Sequence, residues 1–160
     1  MLSFTGGLSP NSDAFAIFVT EKYLYENKKN ILSNNTVKRI DSYLSVLKVK
    51  DKDQDISSFD ISDQQKCFII KVKNKYESCA PQESGGNFFS YLKQFKYIRK
   101  VDVYADSLDF DKGKLVSFFS EFIFGFNLKN YTFNKYKTLN KEKINKNINF
   151  KVISSNKKKI

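Results

Sequence analysis

The chain has no histidine and no tryptophan, and its 160 residues include only two cysteines, two prolines and one methionine. Without histidine there can be no Ser-His-Asp or Cys-His nucleophile pair and no imidazole general base. Zinc sites built from cysteine and histidine are excluded as well, because eleven residues separate Cys67 from Cys79, far from C-x-x-C spacing. The two thiols read as reduced cysteines of a cytoplasmic protein. No apolar run approaches the ~20 residues that cross a bilayer, so no membrane association is expected. The opening Met1-Leu2-Ser3-Phe4-Thr5-Gly6-Gly7 lacks the basic n-region and apolar h-region of a secretory signal. Carboxylates and lysines remain as candidate catalytic groups.

Arginine is almost missing: Arg39 and Arg99 stand against 26 lysines. Readers of nucleic acid favour arginine for its bidentate fork on phosphate and guanine, so the shortage argues against sequence-specific readout. The net charge of +11 is concentrated at one end. Residues 129–160 carry ten lysines and one glutamate, a net of +9, and the preceding 128 residues carry only +2.

What is abundant is phenylalanine, with 16 copies, in a composition that is 41% hydrophobic and 16% aromatic. A chain of this length and composition folds as one domain, burying about two-thirds of its unfolded surface. Ala14-Phe15-Ala16-Ile17-Phe18-Val19-Thr20 reads as a buried strand and Lys22 to Asn35 as a polar, irregular stretch. Thr36 is placed to cap a helix whose apolar face is Val37, Ile40, Leu44 and Leu47. Phe59-Asp60-Ile61 is a short strand, and Cys67 to Val72 is apolar enough to lie inside a sheet. Gln82 to Asn87 reads as a turn that leads into a helix marked by Phe88, Phe89, Leu92 and Phe95. A strand at Val101 to Ala105 follows. Leu115, Phe118, Phe119, Phe122, Ile123 and Phe126 then line one face of the clearest helix, with Phe118, Phe122 and Phe126 toward the sheet and Lys114 and Glu121 toward water. Asn130 to Asn147 is a polar connection, and Ile148 to Ile153 a last strand. This alternation predicts an α/β fold with a mixed, mostly parallel sheet flanked by helices.

Three stretches could carry chemistry. Ser84-Gly85-Gly86-Asn87 ahead of a helix could cradle an anion on backbone N–H groups. G-x-G-x-x-G and P-loop patterns are absent, however, and a flexible turn is the favoured reading. Asp106, Asp109 and Asp111 could hold a divalent ion, but their spacing is not that of a calcium loop, and a solvated loop is favoured. Tyr131, Phe133, Lys135, Tyr136 and Lys137 interleave aromatics with lysines, a pattern that binds single strands by stacking and charge. The period-2 placement of Tyr131 and Phe133 favours packing of the rings into the core instead. If nucleic acid is a partner, Lys135, Lys137, Lys141, Lys143 and Lys146 would contact it, weakly and without sequence preference.

The run Gly125-Phe126-Asn127-Leu128-Lys129-Asn130-Tyr131-Thr132-Phe133-Asn134-Lys135-Tyr136-Lys137 resembles the end of the N-terminal domain of leucyl aminopeptidases. There a helix ends in a Glu-Gly-Leu-x-Leu-Gly type run and continues to Tyr-x-Phe-x-x-Tyr-Lys. Gly125, Leu128, Tyr131, Phe133, Tyr136 and Lys137 fall on those positions; Phe124 replaces a common acidic residue and Lys129 a common glycine. Ile70-Lys71-Val72-Lys73 stands where the family strand usually ends in Gly-Leu-Gly-Lys. The resemblance implies a macro-domain-like three-layer fold over residues 1–153, with 154–160 a lysine-rich tail or linker toward a catalytic domain. It implies a homo-hexameric parent that removes N-terminal residues from peptides, using two divalent ions, zinc or manganese, in that separate domain. The Asn-Thr-Asp-Ala-Glu-Gly-Arg run that supplies part of the metal ligands does not occur here, so no catalytic or metal-binding residue is carried over and the chain alone is expected to be a non-catalytic scaffold domain.

Overall fold

Strands that are apolar on both sides must be covered on both sides, and that requirement shapes the molecule. A computed structural model of the chain describes residues 2–5, 9, 11–50, 54–73, 79–131 and 148–154. Its elements are β1 (Leu2–Thr5), β2 (Ala14–Thr20), α1 (Asn34–Lys50), β3 (Ile56–Ser62), β4 (Gln65–Val72), α2 (Ala80–Leu92), β5 (Lys100–Tyr104), α3 (Lys112–Asn130) and β6 (Asn149–Ile153). They form one six-stranded sheet in the order β1-β6-β5-β2-β4-β3. Neighbouring strands run parallel except the β3–β4 hairpin. The mixed, mostly parallel sheet and its flanking helices match the fold expected from the sequence.

β2 lies between β5 and β4 and supplies both cores by alternation. Phe15, Ile17 and Val19 pack with Ile40, Leu44 and Leu47 of α1. Ala14, Ala16 and Phe18 face Phe88, Phe89 and Leu92 of α2 and Phe118, Phe119, Phe122 and Phe126 of α3. The ring of Phe18 meets those of Phe118, Phe119 and Phe122 edge-on, at centroid distances of 5.6, 5.0 and 5.1 Å. The expected face of α3 is therefore the face that is buried. Lys114 and Glu121 do not stand free in water as expected. The Lys114 ammonium sits 4.3 Å from the centroid of the Phe110 ring, and Glu121 accepts a hydrogen bond from Gln82 Nε2.

Three local features differ from the sequence reading or are absent from it. Helix α1 begins before Thr36: Ser33 is the cap, its Oγ accepting from Thr36 N at 3.2 Å. The tetrapeptide β1 pairs in parallel with β6 at one edge of the sheet, a strand too short for its pattern to announce. The third correction is the largest, because Ser84-Gly85-Gly86-Asn87 is not a turn but the middle of α2. A Cβ on Gly85 would stand 2.0 Å from the carbonyl oxygen of Phe122, and one on Gly125 only 1.9 Å from that of Gln82. The glycines are where the α2 and α3 backbones touch. Each costs a helix about 1 kcal/mol relative to alanine, and the close packing they permit offsets it. At the other end of the chain Ser154 is part of the folded unit: it is buried and its Oγ donates to Asp106 Oδ1 at 2.8 Å.

Gly85→Ala and Gly125→Ala should each lower stability by about 1–3 kcal/mol or more, because the added methyl meets backbone. Gly113→Ala, near the exposed start of α3, should be neutral or stabilising. Phe122→Ala should cost about 3–5 kcal/mol. Urea midpoints at constant m-value check all four, and a neutral Gly85→Ala would contradict the seam.

Candidate functional site

Open α/β sheets bind ligands outside the carboxyl ends of their strands, where adjacent strands send the chain to opposite faces. β2 is followed by α1 on one face, while its neighbours β4 and β5 are followed by α2 and α3 on the other. Switch points therefore flank β2 on both sides, and the two differ.

On the β4 side there is a crevice of about 450 Å³. Lys71 and Lys73 from the end of β4, Asp55 before β3, and Glu83, Ser84 and Asn87 from the first turns of α2 line it, with Phe118 at its apolar wall. Lys71 N donates to the Asp55 carbonyl at 2.8 Å, which joins two of these walls. Cys79 occupies the N-cap position of α2 without making a side-chain cap bond. The described lining thus carries two ammonium groups and two carboxylates. Among the described residues no group of three His, Cys, Asp or Glu side chains could hold a metal ion. The other thiol, Cys67, is fully buried in β4, where burial pushes its pKa well up and leaves it unreactive.

On the β5 side the crevice is closed by the chain itself. The connection from β2 to α1 crosses it, with Glu26 N donating to the Ser107 carbonyl at 2.8 Å and Tyr104 Oη to the Lys28 carbonyl at 2.9 Å. Ser107 Oγ accepts from Phe18 N at 2.8 Å and donates to the Tyr104 carbonyl at 2.7 Å. Lys28 pairs with Asp109 at 3.3 Å. Burial, reinforced by the nearby Asp106 carboxylate, pushes the Tyr104 hydroxyl up to about 12. Sequence reasoning passed over Tyr104 and Ser107, since a tyrosine in a strand and a serine in a loop carry no spacing signal.

The carboxylates considered for a metal are separated by role. Asp106 is buried and accepts from Ser154 Oγ, so it is not part of a solvated loop. Asp109 is exposed and paired with Lys28, and Asp111 caps α3, its Oδ1 accepting from Lys114 N at 2.9 Å. Of the positions taken from the family motif, Gly125 lies buried in the helix seam. Leu128 and Tyr131 are 63% and 71% exposed. Packing of Tyr131 into the core is thus overturned: α3 continues through Asn130, and its helical phase places Tyr131 with the exposed Phe124 and Leu128. Phe133, Tyr136 and Lys137, like Lys135, Lys141, Lys143 and Lys146, lie outside the described residues. No described helix is long and apolar enough to cross a membrane.

No family model matches the chain, and no curated protein matches its sequence. Solved structures do match. A lysine-to-glutamate variant of tomato leucine aminopeptidase superposes with a TM-score of 0.68 at 13% identity, over 96% of this chain and 32% of that one. The macrodomain of Thermus aquaticus DarG superposes with a TM-score of 0.60 at 10% identity, over 96% and 98% of the two chains. The fold is shared with both. This chain spans about a third of the aminopeptidase's length.

The raised hydroxyl of Tyr104 makes a test of the closed crevice. Folding keeps Tyr104 protonated up to about pH 12, whereas the unfolded chain ionises it near 10, so stability is complete below that value and falls as pH rises through the window. Urea midpoints taken between about pH 8 and about pH 11 should fall for the wild type and less steeply for Tyr104→Phe. Parallel curves would mean that the hydroxyl ionises as freely folded as unfolded.

Proposed function

We propose that this chain is a non-catalytic scaffold domain equivalent to the N-terminal domain of a two-metal leucyl aminopeptidase, supporting the assembly of a parent that removes N-terminal residues from peptides. The observation that carries this reading is the superposition on tomato leucine aminopeptidase, which takes in 96% of this chain and only 32% of the other. The aminopeptidase-like run ending α3 supports it independently from sequence.

In this reading the two divalent ions belong to a separate catalytic domain, where they polarise the scissile carbonyl and activate water. The domain's contribution is a rigid three-layer body, cytoplasmic, placed at the periphery of a homo-hexamer. The macrodomain likeness carries no ligand with it, because a shared fold is compatible with unrelated functions.

A second reading, binding of nucleic acid, is motivated by the net +9 of residues 129–160. Charge of this kind gives binding through counterion release, steeply salt-dependent and indifferent to sequence.

The pure chain should release no leucine from leucine amides, with or without added zinc or manganese. Co-expressed with an aminopeptidase catalytic domain, it should co-elute with that domain as one oligomer in size-exclusion chromatography with light scattering. Duplex DNA should bind only at low salt and be released near ~0.15 M, where the Debye length is about 8 Å. Failure to associate, together with DNA binding that survives this salt and is lost when Lys135, Lys137, Lys141, Lys143 and Lys146 become Gln, would replace the scaffold reading by the second.

A further inference from the structure

The connection between β2 and α1 crosses the carboxyl end of the sheet between two buried anchors. At its two ends the chain is anchored in the core, by Val19 at 0% exposure and Leu32 at 1%. Between these anchors, no described side chain of residues 21–30 is fully buried, and Leu24 is 56% exposed. Tyr23 and Tyr25 pack partly against the core on the α1 side, and directional contacts tie the rest of the segment. These are Glu26 N to the Ser107 carbonyl, Tyr104 Oη to the Lys28 carbonyl, the Lys28–Asp109 pair, and Tyr25 Oη to Asp41 Oδ1 at 3.0 Å. The Asn27 side chain closes the far end, donating to the Leu32 carbonyl and accepting from Leu32 N, both at 3.0 Å.

Its backbone is also under local strain. Tyr23 and Asn30 have φ values of 56° and 50°, the only positive φ among the described residues. Asparagine tolerates this region by local hydrogen bonding, but a tyrosine there is held by its surroundings. A tight turn does this at Tyr23, whose N donates to the Thr20 carbonyl at 2.8 Å while Thr20 N donates to the Leu24 carbonyl at 2.9 Å. The Lys71 ammonium lies 5.5 Å from the centroid of the Tyr23 ring. Segments with little buried apolar surface and a handful of polar ties open locally at far lower free energy than the core.

We propose that residues 21–30 are a strap that closes the carboxyl end of the sheet between β2 and β5 and opens as a unit while the core stays folded. The strap lies across one of the two places where this open α/β sheet could receive a nucleotide-sized ligand, so in the closed state the opening between β2 and β5 admits none. The proposal goes beyond the scaffold reading and is independent of it: a chain that failed to associate with any peptidase domain would still carry the strap.

Amide hydrogen exchange of the full chain, resolved by NMR, tests it. In Tyr104→Phe, which removes one tie and keeps the ring, the Glu26 amide should exchange roughly tenfold faster, while amides of β4 and α3 keep their wild-type rates. Asn27→Ala should do the same by releasing the other end, and it decides the matter if Tyr104→Phe lowers global stability. Millimolar ADP added to the wild type should leave the Glu26 and Ser107 resonances unmoved. Unchanged exchange at Glu26 in both variants would overturn the proposal. So would acceleration that β4 and α3 share equally in both, or saturable shifts of the Glu26 and Ser107 resonances by ADP at micromolar concentration.

Discussion

The direct contact of the α2 and α3 backbones fixes the spacing on which the rest of this fold depends. With Gly85 against the Phe122 carbonyl and Gly125 against that of Gln82, the two helices act as one slab over the sheet. That slab sets how far Phe118, Phe119 and Phe122 can reach, and they enclose Phe18 at ring distances typical of edge-to-face pairs. Phe18 in turn belongs to β2, the strand that both cores share. A wider helix pair would leave a void around Phe18, and interiors packed like crystals bear such voids poorly.

β2 also decides the functional topography. Because the chain leaves it toward one face and leaves β4 and β5 toward the other, its carboxyl end is flanked by two openings. One remains a crevice whose described lining carries both lysines and carboxylates; the other is covered by the connection that follows β2. Ser107 is central to the covered side, since its hydroxyl serves the first core strand and its carbonyl serves the strap. Two chains with this architecture, an aminopeptidase and a macrodomain, show that the fold accommodates different uses.

Polar groups inside the domain are tied to structure. Asp13 Oδ2 accepts from both Arg99 N and Lys100 N, at 2.7 and 2.8 Å, and so aligns the starts of β2 and β5. Asp102, buried in β5, accepts from Ser9 N at 2.6 Å and fastens the segment that precedes β2. Asp106 and Ser154 secure the end of β6 in the same way. Buried carboxylates with such partners are ordinary stabilising elements, which is why an acidic count in the sequence gave a poor guide to metal binding.

Much of the architecture was legible in the residues. The apolar runs of β2 and β4, the period of α1 and the phenylalanine stripe of α3 each encode which side of an element avoids water, and burial follows that code closely. What a local pattern does not encode is which other backbone will come near. Gly85-Gly86 reads as a turn because glycine favours turns in isolation; in the folded chain α3 needs the room that a Cβ would take, and the pair stays helical. Tyr131 alternates with Phe133 in sequence, yet the length of α3 sets its direction. Asp106, Tyr104 and Ser107 acquire their partners from segments up to 89 residues away, so their roles exist only once the sheet is assembled. Sequence determined which faces are apolar, because solvent avoidance is a property of each side chain. Tertiary structure decided which backbones touch and which opening is closed, because those are properties of pairs of segments that meet only in the fold.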